Sequence, residues 1–114
     1  MNAIQELNMT EHGIPPHILV MEDEASVAQG LQMVLSEEGY DVDLAMTGSG
    51  ALNAFHQKGF DLLVADLRLP DTDGLEIIKI VKERKPETEV VIITGYSSVS
   101  SAVDAMKIGV ADYL

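Results

Sequence analysis

An open, doubly wound parallel α/β sheet is the fold class this sequence predicts, on three observations. Short apolar runs alternate along the chain with segments of helical period. The runs at 18–21, 62–65 and 90–93 are continuously apolar, as strands covered on both faces must be. Glycine or proline punctuates the end of nearly every helical segment. Together they give the order β-α-β-α-β-α-β-α-β. With 114 residues and 46% of them hydrophobic, the chain has the size of one domain and enough apolar material for a core.

The elements follow in order. Residues 1–16 read as an N-terminal tail or a weak helix through Ile4 and Leu7, ended by Gly13, Pro15 and Pro16, and residues 17–114 as one domain. Residues 17–21 form a buried strand running into acids. Over 25–38 a helix places Val27, Leu31, Val34 and Leu35 on one face and stops at Gly39. Residues 41–45 alternate Val42 and Leu44 with acids, as an edge strand does. A short helix at 50–58 carries Leu52 and Phe55 and stops at Gly59. A second apolar strand at 61–66 ends in Asp66, and 67–73 is a loop. The helix at 75–85 turns Ile77, Ile78 and Val81 inward, starts on an Asp73 and Glu76 capping pair, and ends before Pro86. Residues 89–94 form a buried strand. A helix at 98–108 with Val99, Ala102, Val103 and Met106 stops at Gly109, and residues 111–114 start a fifth strand.

Composition narrows the function. Seven Lys and Arg against 19 Asp and Glu give a net charge of −12. Such a chain repels phosphate backbones and is a poor nucleic-acid binder by itself, while it suits a divalent cation or a basic partner. The absence of Cys removes disulfides, thiolate catalysis and Cys-ligated metal. No apolar run approaches the ~20 residues that span a bilayer, and the N-terminus has no signal-peptide pattern, so a cytoplasmic domain is expected. His12, His17 and His56 do not cluster, and the six Met show no interface spacing.

Parallel sheets bind ligands beyond the carboxyl ends of their strands. The first strand ends in Glu22 and Asp23, the third in Asp66, and the fourth in Thr94 and Gly95. If those strands are neighbours, three carboxylates and a hydroxyl share one pocket. Two like charges ~4 Å apart repel by roughly 4 kcal/mol at an effective dielectric of about 20, so the pocket holds either a proton or a hard cation. All-oxygen ligands point to Mg²⁺. The competing reading makes residues 22–24 ordinary partners of a helix dipole. Asp66 is harder to dismiss, because it ends an otherwise apolar strand.

These stretches resemble the receiver domain of two-component response regulators. The matching segments are 18–24 (Ile-Leu-Val-Met-Glu-Asp-Glu), 66–74 (Asp-Leu-Arg-Leu-Pro-Asp-Thr-Asp-Gly), 91–95 (Val-Ile-Ile-Thr-Gly) and 111–114 (Ala-Asp-Tyr-Leu). The resemblance implies a flavodoxin-like sheet with strand order 2-1-3-4-5. It implies a signal-transduction module in which Asp66 accepts a phosphoryl group from the phosphohistidine of a histidine kinase or phosphotransfer protein. By the same resemblance Asp23, Asp66 and the backbone carbonyl of Arg68 ligate Mg²⁺, and Glu22 helps to hold it through water. Thr94 and the Gly95 amide contact the phosphoryl group, Tyr113 is the switch aromatic, and Pro70 and Gly74 shape the loop. Arg68 and Tyr96 stand where the family tunes dephosphorylation; Arg68 could equally pair with Asp71 or Asp73. Asp73 reads as a helix cap. The output domain or downstream partner, with transcription control as a guess, lies outside the chain.

Three rival readings stand beside this one. An aspartyl-nucleophile phosphatase needs a second acid where Arg68 stands. A mononucleotide or flavin module needs a phosphate-cradling loop where residues 22–24 are acidic. An unphosphorylated pseudo-receiver is disfavoured by Asp23, Asp66 and Thr94. The family's lysine and last helix would follow Leu114. A chain ending there is expected to leave an apolar face beside the fifth strand, covered by a partner chain in a dimer, by a swapped segment, or by the N-terminal tail through Ile4 and Leu7, the partner chain being favoured.

Overall fold

The computed structural model describes residues 14–93, 109 and 111–113. Eight elements follow one another: β1 (His17–Met21), α1 (Ala25–Glu37), β2 (Asp41–Ala45), α2 (Gly48–Gln57), β3 (Leu62–Ala65), α3 (Gly74–Arg84), β4 (Glu89–Ile92) and β5 (Asp112–Tyr113). The helix expected at 98–108 lies outside the described residues. The sheet has five strands in the order β2-β1-β3-β4-β5, and every neighbouring pair is parallel. This is the expected doubly wound topology.

Period-2 alternation inside apolar strands feeds two cores. Leu19 and Met21 of β1, Leu63 and Ala65 of β3, and Val90 and Ile92 of β4 face one side. There they meet Ala51 and Phe55 of α2 and Ile77, Ile78 and Val81 of α3. Ile18, Val20, Val42, Leu62, Val64 and Val91 face the other side, beneath Leu35 of α1. Phe55 and Phe60 close the first core edge to face at 5.0 Å. Thr88 is buried and donates its hydroxyl to the Phe60 carbonyl at 2.8 Å, tying the start of β4 to that of β3.

The helix ends follow local chemistry, with some differences from expectation. α1 closes with a Schellman pair: Gly39 at φ 97° donates to Ser36 O, and Tyr40 N–H donates to Leu35 O. α2 starts two residues earlier than its apolar pattern predicts, because Thr47 caps it by accepting the Gly50 N–H at 2.9 Å. It ends at Gln57 on an extended Lys58, so Gly59 is not a left-handed stop. α3 starts on Asp73, whose Oδ1 accepts the Leu75 N–H at 3.0 Å. Glu76 lies 3.9 Å from Lys79 Nζ.

The inward face of α1 is rotated from the expected one. Ala28 and Leu35 are buried and Leu31 packs partly, while Val27 and Val34 are 37% and 58% exposed. Ala28, Leu31 and Leu35 form the edge that packs on the sheet, and Gln32 beside them donates its side-chain N–H to the Val42 carbonyl at 3.1 Å, while no described residue covers Val27 and Val34.

Candidate functional site

The register of the sheet assembles the site. Met21 is level with Ala65, and Ala65 with Ile92. One residue further, Asp66 N–H donates to Met21 O at 2.9 Å, Ile93 N–H to Ala65 O at 2.9 Å, and Glu22 N–H to Ala45 O at 3.0 Å. Glu22, Asp23 and Asp66 therefore leave the same edge of the sheet together. One carboxylate oxygen from each lies within 4.8 Å of the others. The neighbour relation assumed for the first and third strands holds, and it brings these three predicted residues into one cluster.

The three acids differ in burial. Glu22 is 6% exposed, Asp66 half-buried and Asp23 exposed. Glu22 Oε2 is buried with no hydrogen-bond partner. Burial, followed by the contact with Asp66 and by the charges of Asp66, Asp23 and Glu24, pushes the Glu22 carboxyl up to about 8. Glu22 thus reaches into the cluster. Glu24, at the N-cap of α1, makes no side-chain capping bond. The helix-dipole reading of residues 22–24 does not describe Glu22.

The donor set fits a hard divalent cation. Three carboxylates converge at one strand edge, and one buried oxygen lacks any donor, which leaves a place for a positive ligand. Among the described residues this is the group of His, Asp and Glu side chains that could hold a metal.

The loop after Asp66 is tightly folded. Asp66 Oδ1 accepts the Arg68 N–H at 3.2 Å. Arg68 and Asp73 form an isolated antiparallel bridge, and Gly74 N–H donates to Leu67 O at 2.8 Å. A side chain at Gly74 would collide with the Asp66 carbonyl oxygen and stand 2.7 Å from Leu67 Cα, so only glycine fits there.

Thr94, Gly95 and Tyr96 lie outside the described residues. The backbone of Tyr113 is in β5, paired with Ile92 and so level with Ala65. Asp71, which the sequence offers only as a surface charge, accepts the Gly48 and Ser49 N–H groups of α2. His17 Nδ1 lies 3.0 Å from Asp41 Oδ2, on strand starts far from the acidic edge.

The family profile described as response regulator receiver domain matches residues 18–114. This chain belongs to that family. The receiver shares 44% identity over 97 residues with the transcriptional regulatory protein ZraR of Klebsiella oxytoca, covering 85% of this chain and 22% of ZraR. It thus spans about a fifth of that relative's length. Among solved structures, a CheY-like receiver domain protein from Methanospirillum hungatei superposes with a TM-score of 0.86 at 27% identity, over 89% of this chain and 81% of that one. A response regulator from Burkholderia pseudomallei, solved with a phosphorylated aspartic acid, calcium ion and citrate, superposes with a TM-score of 0.83 at 31% identity, over 87% and 58%. The receiver's described helices include none long and apolar enough to cross a membrane.

Proposed function

We propose that this receiver takes a phosphoryl group from the phosphohistidine of a partner kinase or phosphotransfer protein onto Asp66, with Mg²⁺ held by Glu22, Asp23, Asp66 and the backbone carbonyl of Arg68. The observation that carries this is the cluster of three carboxylates, one of them buried and driven toward its protonated form. A carboxylate oxygen of Asp66 bonds to phosphorus as the phosphorus–nitrogen bond of the donor breaks, and the freed imidazole keeps the electron pair and takes up a proton. When bound, the cation would supply positive charge against the negative charge that gathers on the phosphoryl oxygens. Glu22 would have to be deprotonated to help hold the cation. Thr94 and the Gly95 amide contact the phosphoryl oxygens, and Tyr113 follows Thr94 to report the change to an output outside this chain. The phosphorylated aspartic acid and calcium ion of the Burkholderia relative support the same chemistry. The relatives' naming as transcriptional regulatory proteins supports control of transcription in the cytoplasm as the output.

The test is labelling with a small-molecule phosphodonor and Mg²⁺. One phosphate should appear per chain, stable in acid and released by base as an acyl phosphate is, and lost in Asp66→Asn. A label that persists in that variant, or that sits on a histidine, overturns the assignment.

A further inference from the structure

Asp71 sits at the tip of the loop between β3 and α3, yet both of its oxygens reach across to another element. Oδ1 accepts the Gly48 N–H at 2.8 Å and Oδ2 the Ser49 N–H at 3.0 Å, both first-turn amides of α2. These amides, the Gly48 donor foremost, hold the Asp71 carboxyl below the usual range. The fit is close. A side chain at Gly48 would collide with Thr72 Cγ2 and stand 2.9 Å from Ile77 Cδ1. α2 has its own cap in Thr47, which takes the Gly50 N–H. What Asp71 adds is therefore an anchor for the loop as well as for the helix.

That loop carries the proposed backbone ligand. It leaves Asp66, binds back to it through the Arg68 N–H, and returns through the Arg68–Asp73 bridge into α3. A carbonyl ligand has no side-chain torsions with which to find the cation, so its position is that of its loop. We propose that Asp71 is a positioning residue for the divalent cation: it latches the β3–α3 loop to the N-terminus of α2 and so holds the Arg68 backbone beside Glu22, Asp23 and Asp66. The proposal rests on the metal reading above. Losing a supporting contact of this kind typically costs 10–100-fold in metal affinity.

The experiment is a Mg²⁺ titration of the full chain, read by amide chemical shifts without any phosphodonor. It compares the unsubstituted protein with Asp71→Ala, Asp71→Asn, Thr47→Ala and Asp23→Asn, each also measured for urea stability. Asp71→Ala should bind Mg²⁺ about tenfold more weakly. Asp71→Asn, which keeps one acceptor oxygen for two N–H donors, should lose an intermediate amount, about threefold. Thr47→Ala should lose stability and keep its affinity. Unchanged affinity in Asp23→Asn means that the metal reading itself fails. Weakening in Asp23→Asn with none in Asp71→Ala overturns the latch alone. Equal weakening in Thr47→Ala and Asp71→Ala also overturns it, because the effect then runs through helix stability. If Asp71→Ala does not fold, Asp71→Asn carries the test, with about a threefold loss expected and no loss overturning the proposal.

Discussion

Gly74 and Glu22 bound what substitutions the site will accept. At Gly74 the obstacle is backbone, the Asp66 carbonyl and Leu67 Cα, which cannot swing away as a side-chain tip can. Gly74→Ala should destabilise the fold by about 1–3 kcal/mol, the usual range for forcing a methyl into a filled space, seen as a lower urea midpoint with an unchanged slope. The place of Asp66 in the acidic cluster was legible because a charge closing an apolar strand stands out in any sequence. Glu22 was legible only jointly with it, since its neighbours Asp23 and Glu24 look like a helix start. Asp71 was not legible. Its partners lie 22 and 23 residues earlier, and no local pattern distinguishes a carboxylate that caps a distant helix from one that faces solvent.

Among the elements, the strands were read nearly residue for residue and the helices less so. A strand's continuous apolar run marks a doubly covered strand without any inward face having to be chosen. Helix starts depend on caps such as Thr47, which lies outside the apolar pattern. The face of α1 is marked by the packing of Ala28, Leu31 and Leu35, beside the contact of Gln32 with the Val42 carbonyl. Val27 and Val34 share helical spacing with Leu31 and Leu35, so periodicity alone could not separate the covered edge from the open one. The difference has a measurable size. Leu35→Ala should cost about 2–5 kcal/mol in urea unfolding, as a buried leucine does. Val34→Ala, at 58% exposure, should stay within about 0.5 kcal/mol. Comparable losses at the two positions would place Val34 in a packed environment.

On the scale of the whole molecule, the net charge is −12, and at the carboxyl edge of the sheet burial favours the protonated form of one acid, Glu22. Without a divalent cation, folded Glu22 keeps its proton up to about pH 8, whereas the unfolded chain releases it near 4.5. The folded state therefore binds the extra proton across that window, and Glu22's contribution to stability is full below pH 4.5 and falls as pH rises to about 8. Urea unfolding in a chelator should release about one proton near pH 6–7, and Glu22→Gln should remove that slope. Added Mg²⁺ should also remove it, by competing for the same carboxylate. Asp71 acts with the opposite sign. Its lowered carboxyl contributes above its unfolded range, near 3.8, and is lost as pH falls through its folded value. The level alignment of Met21, Ala65 and Ile92 has a further consequence, for how genes of this kind can vary in length. Each strand residue advances ~3.3 Å and reverses its side. Dropping one codon inside β3 would withdraw Asp66 from Glu22 and turn both cores inside out along that strand. The same codon lost at exposed Glu87, in the turn before β4, removes no strand residue and leaves the spacing from each strand to its acid intact. Length variation is thus expected to collect at the amino edge of the sheet, while the spacing from each strand to its acid stays fixed.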